Sequence, residues 1–312
     1  MIVAAVAAAV WFDRKAAQPG PLAEAATVFV PRGAGVQDIA GLLEAQGVID
    51  DAFLAVLRVR WRGDGRDLKA GEYAFAPQVS LDEVIDDLAA GRTVVHRLSV
   101  PEGLTGAEVA VLINAAPDLA GDPVAAPDEG TLLPETYHFE LGDTREAMVG
   151  RMTVAMDRAL EELWAARDPG IAVATPEEAV ILASIVEKET GLADERAHIA
   201  GVFDNRLKRG MMLQSDPTVI YALTGGRTDL GRALTRKDLD VDNPYNTYRN
   251  SGLPPGPIAN PGHDALLAVL HPQATDDLYF VADGTGGHAF AATLDEHNRN
   301  VAAYRSWLSG QN

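Results

Sequence analysis

Thr175-Pro-Glu-Glu-Ala-Val-Ile-Leu-Ala-Ser-Ile-Val-Glu-Lys-Glu-Thr190 reads as one amphipathic helix that ends on two carboxylates. Thr175 supplies a hydroxyl N-cap, Pro176 suits the first helical position, and Glu177 and Glu178 stand where the helix dipole favours negative charge. At roughly 100° per residue, Ile181, Ile185, Leu182 and Val186 share an arc of about 140°, with Glu189 near its middle. Glu189 therefore projects with the apolar face. Glu187 falls on the other side, beside Ala183, Val180 and Ser184, a face of small side chains that leaves room above it. A carboxyl held among apolar groups resists ionisation and stays a proton donor near neutral pH, which is what a general acid requires. The plainer alternative is that Glu189 lies just past the buried part of the helix, solvated or paired with Lys or Arg in a structural network.

On either side of this helix the order of elements is mixed, and the fold class expected is α+β. After a Pro/Gly/Ala linker around Ala16 to Ala25, Thr27–Val30 reads as a strand, Val36–Gln46 and Asp51–Trp61 as helices, and Tyr73–Phe75 as a second strand. Ser80 and Glu83 form a capping box for a helix to Ala90. The phrase Phe29-Val-Pro-Arg-Gly-Ala-Gly-Val-Gln-Asp-Ile-Ala40 recurs loosely as Ser99-Val-Pro-Glu-Gly-Leu-Thr-Gly-Ala-Glu-Val-Ala110, two similar strand-to-helix turns. The second copy marks the expected opening of a second domain, giving 17–97 and 98–312. Further helices are expected near 145–166, 176–190, 194–209 and 217–223, then a hairpin around Asp283–Gly287 and a last helix capped by Thr293 and Glu296.

At 312 residues and 47% hydrophobic content the chain can bury a substantial core in each of two domains. A net charge of −19 sets it against nucleic acid and anionic lipid as main partners, because both would repel it. With no cysteine, thiolate catalysis, disulfides and cysteine-ligated metals are excluded. The seven histidines lack zinc-ligating spacings, and the glycines at 284, 286 and 287 lack the Lys-Ser/Thr of a phosphate loop, so neither a metal nor a nucleotide cofactor is expected.

Residues 1–12, MIVAAVAAAVWF, would span roughly 18 Å as a helix, against a hydrocarbon core of about 30 Å. Asp13, Arg14 and Lys15 close the run and no basic residue precedes it. It matches the trailing part of a membrane anchor over residues 1–16, or else an N-terminal helix packed on the body.

Two segments point to a ligand cleft. Met211-Met-Leu-Gln-Ser-Asp-Pro-Thr-Val-Ile-Tyr221 places polar groups at a helix start, with Asp216 as the expected N-cap and Pro217 at the first position. Asn243–Gly262 reads as a twenty-residue loop holding five prolines and the phrase Tyr245-Asn-Thr-Tyr248. A loop of that length inside a compact domain is uncommon unless it serves a site or is disordered, and the prolines oppose disorder. Amide, hydroxyl and tyrosine groups on a stiff wall suit sugars. A rigid connector with ordinary turn chemistry would look the same.

The phrases Glu129-Gly-Thr-Leu-Leu-Pro-Glu-Thr-Tyr137, Ala183-Ser-Ile-Val-Glu-Lys-Glu-Thr190, Val202-Phe-Asp-Asn-Arg-Leu207, Leu213-Gln-Ser-Asp-Pro-Thr-Val-Ile-Tyr221, Tyr245-Asn-Thr-Tyr248, Gly252-Leu-Pro-Pro-Gly-Pro-Ile258 and Phe280-Val-Ala-Asp-Gly284 carry a resemblance. By them the chain is similar to the membrane-bound endolytic murein transglycosylases. The resemblance implies a small LysM-like module over 17–97 and a catalytic domain over 98–312. It further implies a single-pass inner-membrane anchor with the body on the periplasmic side, peptidoglycan glycan strands as substrate and peptidoglycan synthases as partners. The activity implied is cleavage of the MurNAc–GlcNAc bond to 1,6-anhydro ends, terminating glycan elongation, with no metal or cofactor. In that family the catalytic acid is a glutamate of the ExE pair; the second glutamate of the pair maps onto Glu189, the candidate taken, with Glu187 as second candidate. Gln214, Asp216, Thr218, Tyr221, Asn246 and Tyr248 become candidate cleft residues. A muramidase hydrolysing the same bond and a non-catalytic murein-binding scaffold are the competing readings.

Overall fold

Gly33 and Gly103 explain why the chain uses the same phrase twice. Each follows a Pro-x pair and takes a left-handed backbone conformation, φ +84° and +75°, which a side chain would strain. Each turn delivers a strand into a helix. In the computed structural model, which describes residues 2–66 and 68–310, these are β1 (Ala26–Val30) into α2 (Val36–Ala45) and β3 (His96–Ser99) into α5 (Gly106–Ala115). The second helix start is closed by a capping box in which the Thr105 hydroxyl accepts from Glu108 N and the Glu108 carboxylate accepts from Thr105 N.

The chain divides into two compact units. The first runs to Arg97 and takes back His138–Asp143, a return the sequence does not signal; the second holds Leu98–Tyr137 and continues from Thr144. The fold is α+β throughout.

The first unit begins with α1 (Ile2–Ala16) and continues through β1, α2, α3 (Ala52–Arg62), β2 (Gly71–Phe75) and α4 (Leu81–Ala90). β1 and β2 pair antiparallel, Val28 opposite Tyr73. Their inward residues Val28, Val30, Tyr73 and Phe75 meet Ile39 and Leu43 of α2 and Val84 and Leu88 of α4 in one apolar core. Burying each such side chain contributes roughly 1.5–3 kcal/mol. The end of α1 is held on this unit: Arg58 pairs with Asp13 and Asp82, and its guanidinium lies 5.6 Å from the Phe12 ring centre. Towards its start, α1 leaves Val3, Val6, Val10 and Trp11 exposed. Among the described residues no helix is long and apolar enough to cross a membrane.

The second unit is mainly helical. After α5 come β4 (Thr136–Phe139), α6 (Arg145–Ala166), α7 (Pro176–Glu189), α8 (Ala193–Lys208), α9 (Asp216–Thr224) and α10 (His263–Leu270), then the hairpin β5 (Tyr279–Ala282) and β6 (His288–Ala291), and α11 (Leu294–Gly310). The sequence reading misses β4 and α10. The latter is eight residues long and directly follows a proline-rich loop, too short for its period to register. It is nevertheless central, because Ala265, Leu266 and Val269 pack with Leu182, Ile185 and Val186 of α7 and Ile199 and Phe203 of α8. That packing fixes the end of α7, and with it the two glutamates.

A buried carboxyl and its cavity

Helix α7 starts as the sequence predicts, with the Thr175 hydroxyl accepting from Glu178 N at 3.2 Å and Pro176 in the first turn. Most of its apolar arc is enclosed: Leu182, Ile185 and Val186 are at most 2% exposed, while Ile181 is half-buried. One turn further, the arc ends in Glu189, whose Oε1 accepts a 2.6 Å hydrogen bond from Ser215 Oγ. Burial is the main influence on this carboxyl and pushes its pKa up to about 7. The Ser215 hydrogen bond opposes the rise, the Asp216 carboxylate adds to it, and His288 and Arg206 counter it.

Ser215 corrects the expected helix start. It, and not Asp216, is the N-cap of α9, with Asp216 the first helical residue. A serine N-cap ordinarily gives its hydroxyl oxygen to an amide of the first turn. Here no side-chain cap bond forms, since the hydroxyl is directed to Glu189. The backbone of Ser215 is held separately. Its N donates to Thr247 Oγ1 at 3.0 Å, and its carbonyl accepts from Thr218 Oγ1 at 2.6 Å. Gln214, just before it, sits in the left-handed region at φ +51°, a strained conformation for a residue with a side chain, and its N donates to Thr247 O.

Glu189 opens onto a cavity of about 330 Å³. Gln214, Asp216 and Tyr248 line it, with the Tyr248 hydroxyl donating to Asp216 Oδ1 at 2.7 Å. Burial, then that carboxylate, hold the Tyr248 phenol well above its usual range, so it stays protonated. Arg206, His288 and His297 complete the lining with Phe280 and Val301. Arg206 is buried, donating to the carbonyls of Leu278 and Leu213 at 2.6 and 2.7 Å, so it ties the Gln214–Asp216 segment to the hairpin.

The other candidates lie elsewhere. Thr218 and Asn246 are fully buried scaffolding: Thr218 Oγ1 is 2.8 Å from Thr247 Oγ1, and the Asn246 amide donates to the carbonyls of Leu239 and Val241 while accepting from Tyr248 N. Both act by holding cavity residues in place. Tyr221 lines a separate pocket of about 400 Å³ with Lys188, Pro217 and Ile220, its ring centre 4.8 Å from that of Tyr245. Near that pocket lies a carboxyl the sequence reading did not single out. Glu129 accepts from Gly106 N at 2.8 Å, and burial pushes its pKa up to about 7.

Glu187 is not beside the cavity. The room expected above Ala183 and Ser184 is filled by the proline-rich loop, with Ile258 N donating to Ser184 Oγ at 3.0 Å and Gly262 N donating to Glu187 Oε2 at 2.9 Å. Small side chains admitted backbone there instead of ligand. Arg196 lies 3.7 Å from Glu187, whose carboxyl is raised above its ordinary range by burial. The same loop is pinned by Asn260, which bridges Leu104 O and Leu132 N, and this accounts for its order.

Sequence reasoning missed Ser215, Arg206 and the two histidines. For Ser215 a signal was present, since Ser-Asp-Pro offers two adjacent caps; for Arg206 and His288, whose partners Leu278 and Glu195 lie 72 and 93 residues away in the chain, and for His297 there was none.

The sequence profile of the YceG-like family matches residues 28–303. A protein of Bacillus subtilis described as an endolytic murein transglycosylase is 32% identical over 89% of this chain and 84% of its own length. One of the same description from Streptococcus pneumoniae serotype 2 is 31% identical over 89% of this chain, which spans 58% of it. A crystal structure of a YceG-like protein from Listeria monocytogenes is similar with a TM-score of 0.55 and 33% identity, covering 88% of this chain and 98% of that one.

Proposed function

Given that the chain belongs to the YceG-like family, we propose that it is a peptidoglycan lytic transglycosylase in which Glu189 is both acid and base. The carrying observation is a carboxyl with its pKa pushed up to about 7, fixed by one hydrogen bond and opening onto a polar cavity. In its neutral form Glu189 gives its proton to the glycosidic oxygen between N-acetylmuramic acid and N-acetylglucosamine as the bond to the muramoyl anomeric carbon breaks. The Ser215 hydroxyl and the nearby positive charge of Arg206 support the carboxylate that results. That carboxylate then takes the proton of the muramoyl C6 hydroxyl as its oxygen bonds to the anomeric carbon. One C–O bond is exchanged for another, the proton returns to Glu189, and the product end is 1,6-anhydromuramic acid without uptake of water. This departs from the paired-carboxylate scheme of glycoside hydrolysis.

Ends made in this way would stop growing glycan strands, and peptidoglycan synthases are the proposed partners. The strand–helix–helix–strand core of the first unit is consistent with a LysM-like glycan-binding module. The exposed Val3, Val6, Val10 and Trp11 of α1 support attachment to the inner membrane through the N-terminal segment, with the body periplasmic.

Mass spectrometry of products from purified glycan strands tests the reading. Anhydro ends are expected from the native chain and none from Glu189→Gln; reducing ends would instead identify a muramidase, and sedimentation with sacculi without soluble fragments a scaffold.

A further inference from the structure

Beside the cavity that Glu189 serves, one imidazole is built in more elaborately than a packing residue requires. Glu195, in the first turn of α8, grips His288 twice: its Oε1 accepts from His288 N at 2.8 Å and its Oε2 lies 2.7 Å from His288 Nδ1. The approach depends on Gly287, where a Cβ would stand 2.6 Å from Glu195 Oε1. The Phe280 ring meets the imidazole edge to face, centres 5.4 Å apart, and fixes its plane. The ring lines the cavity, yet Nε2 has no hydrogen-bond partner among the described residues. A carboxylate on Nδ1 selects the tautomer with the proton there and leaves the Nε2 lone pair facing outward.

We propose that His288, oriented by Glu195, is a substrate-binding residue whose neutral Nε2 accepts a hydrogen bond from a hydroxyl or amide N–H of the sugar in the cavity. The inference deepens the glycan-cleaving reading and rests on it. The Nε2 acceptor complements the amide and phenol groups of Gln214 and Tyr248 in the same lining, and a sugar presents several donors. The charged groups around the ring are Glu195 and Arg206 of α8, Glu189 of α7, Asp283 in the hairpin turn and Asp216 in the cavity lining. Glu195→Gln, with Glu195 a positioning residue, would lose the preference for the Nδ1-protonated tautomer without touching the ligand.

The test is binding of a denuded murein tetrasaccharide by the full chain carrying Glu189→Gln, measured by calorimetry at pH 8. This background removes the chemistry, so the outcome does not depend on which group cleaves. Adding His288→Ala, which removes the acceptor, is expected to weaken affinity about tenfold, and His288→Gln, which keeps an acceptor, is expected to recover most of it. An unchanged affinity in the His288→Ala variant overturns the proposal. Should that variant not fold, nitrogen-15 NMR of the histidines in the parent decides: the expected result is a proton on Nδ1 and a shift of Nε2 on adding the tetrasaccharide. A proton on Nε2, or an Nε2 resonance that saccharide leaves unmoved, overturns it. Absence of anhydro products from the native chain alongside binding that His288→Ala weakens would sink the proposed reaction while leaving His288 as a glycan-binding residue.

Discussion

The two flanks of the last turn of α7 carry the same side chain, two residues apart, in opposite surroundings. Glu187 meets a backbone amide, an arginine and a loop that fills the space above it; Glu189 meets one serine hydroxyl and an open cavity. Burial raises both carboxyls. Desolvation alone therefore does not mark the working residue. What separates them is space beside the carboxyl, and a single hydrogen bond that steadies the charged form without preventing protonation.

The sharpest break in that comparison is Glu189→Gln against Glu187→Gln. General acid–base catalysis contributes about 10²–10⁴-fold, so release of anhydro ends should fall by about 10³ or more in the first. The second keeps an acceptor for Gly262 and should retain most of its rate per folded molecule. Equal losses would dissolve the distinction between the flanks.

Glu187→Ala, by contrast, should act through stability. Leaving Gly262 N and Arg196 without that acceptor costs roughly 1–3 kcal/mol, read as a lower thermal midpoint with kcat nearly unchanged in the folded fraction.

Ser215→Ala probes the other flank. Removing a donor that favours the carboxylate should move the alkaline limb of the pH–rate profile upward from its expected position near 7 and lower kcat about tenfold. Ser215→Thr, which keeps the hydroxyl, should restore both. A limb that stays where it was in the alanine variant would show that the hydrogen bond does not tune the acid.

Stability carries the same signature with a fixed sign. The folded-state pKa of Glu189 lies above its ordinary value of 4.5, so between these values the folded chain binds the proton more tightly than the unfolded one. Its contribution is fully present below about 4.5 and is lost as pH rises through about 7. Glu189→Gln should therefore be more stable than the native chain at pH 8, by roughly 3 kcal/mol, and nearly equal to it at pH 4; melting curves at the two values check this. The smallest effect is expected from Tyr221→Phe, which keeps the ring in the separate pocket and should change kcat less than about threefold.

Much of the helical layout was legible because it rests on local rules. Thr175, Pro176 and the Ile181–Val186 arc announce α7, and the paired Pro-x-Gly phrases announce two strand-to-helix turns whose glycines take left-handed backbone. The candidate site was legible only in part. Gln214, Asp216 and Tyr248 do line the cavity with Glu189, whereas Thr218 and Asn246 became its buried supports and Tyr221 went to another pocket. Residue type in a polar loop does not say whether an amide faces a ligand or its own backbone: Asn246 satisfies nearby carbonyls and is used up.

By itself the sequence determined that residue 189 leaves α7 on the apolar side, since helical periodicity is a property of the chain's own backbone. Only the tertiary structure decided that a serine from α9 would meet its carboxyl, that a proline-rich loop would fill the flank of Glu187, and that Arg206, His288 and His297 would wall the cavity. Those outcomes depend on contacts between residues remote in the chain, set by how α7, α8 and α10 bury their apolar faces together, and no local pattern encodes which polar group such packing brings within 3 Å of another.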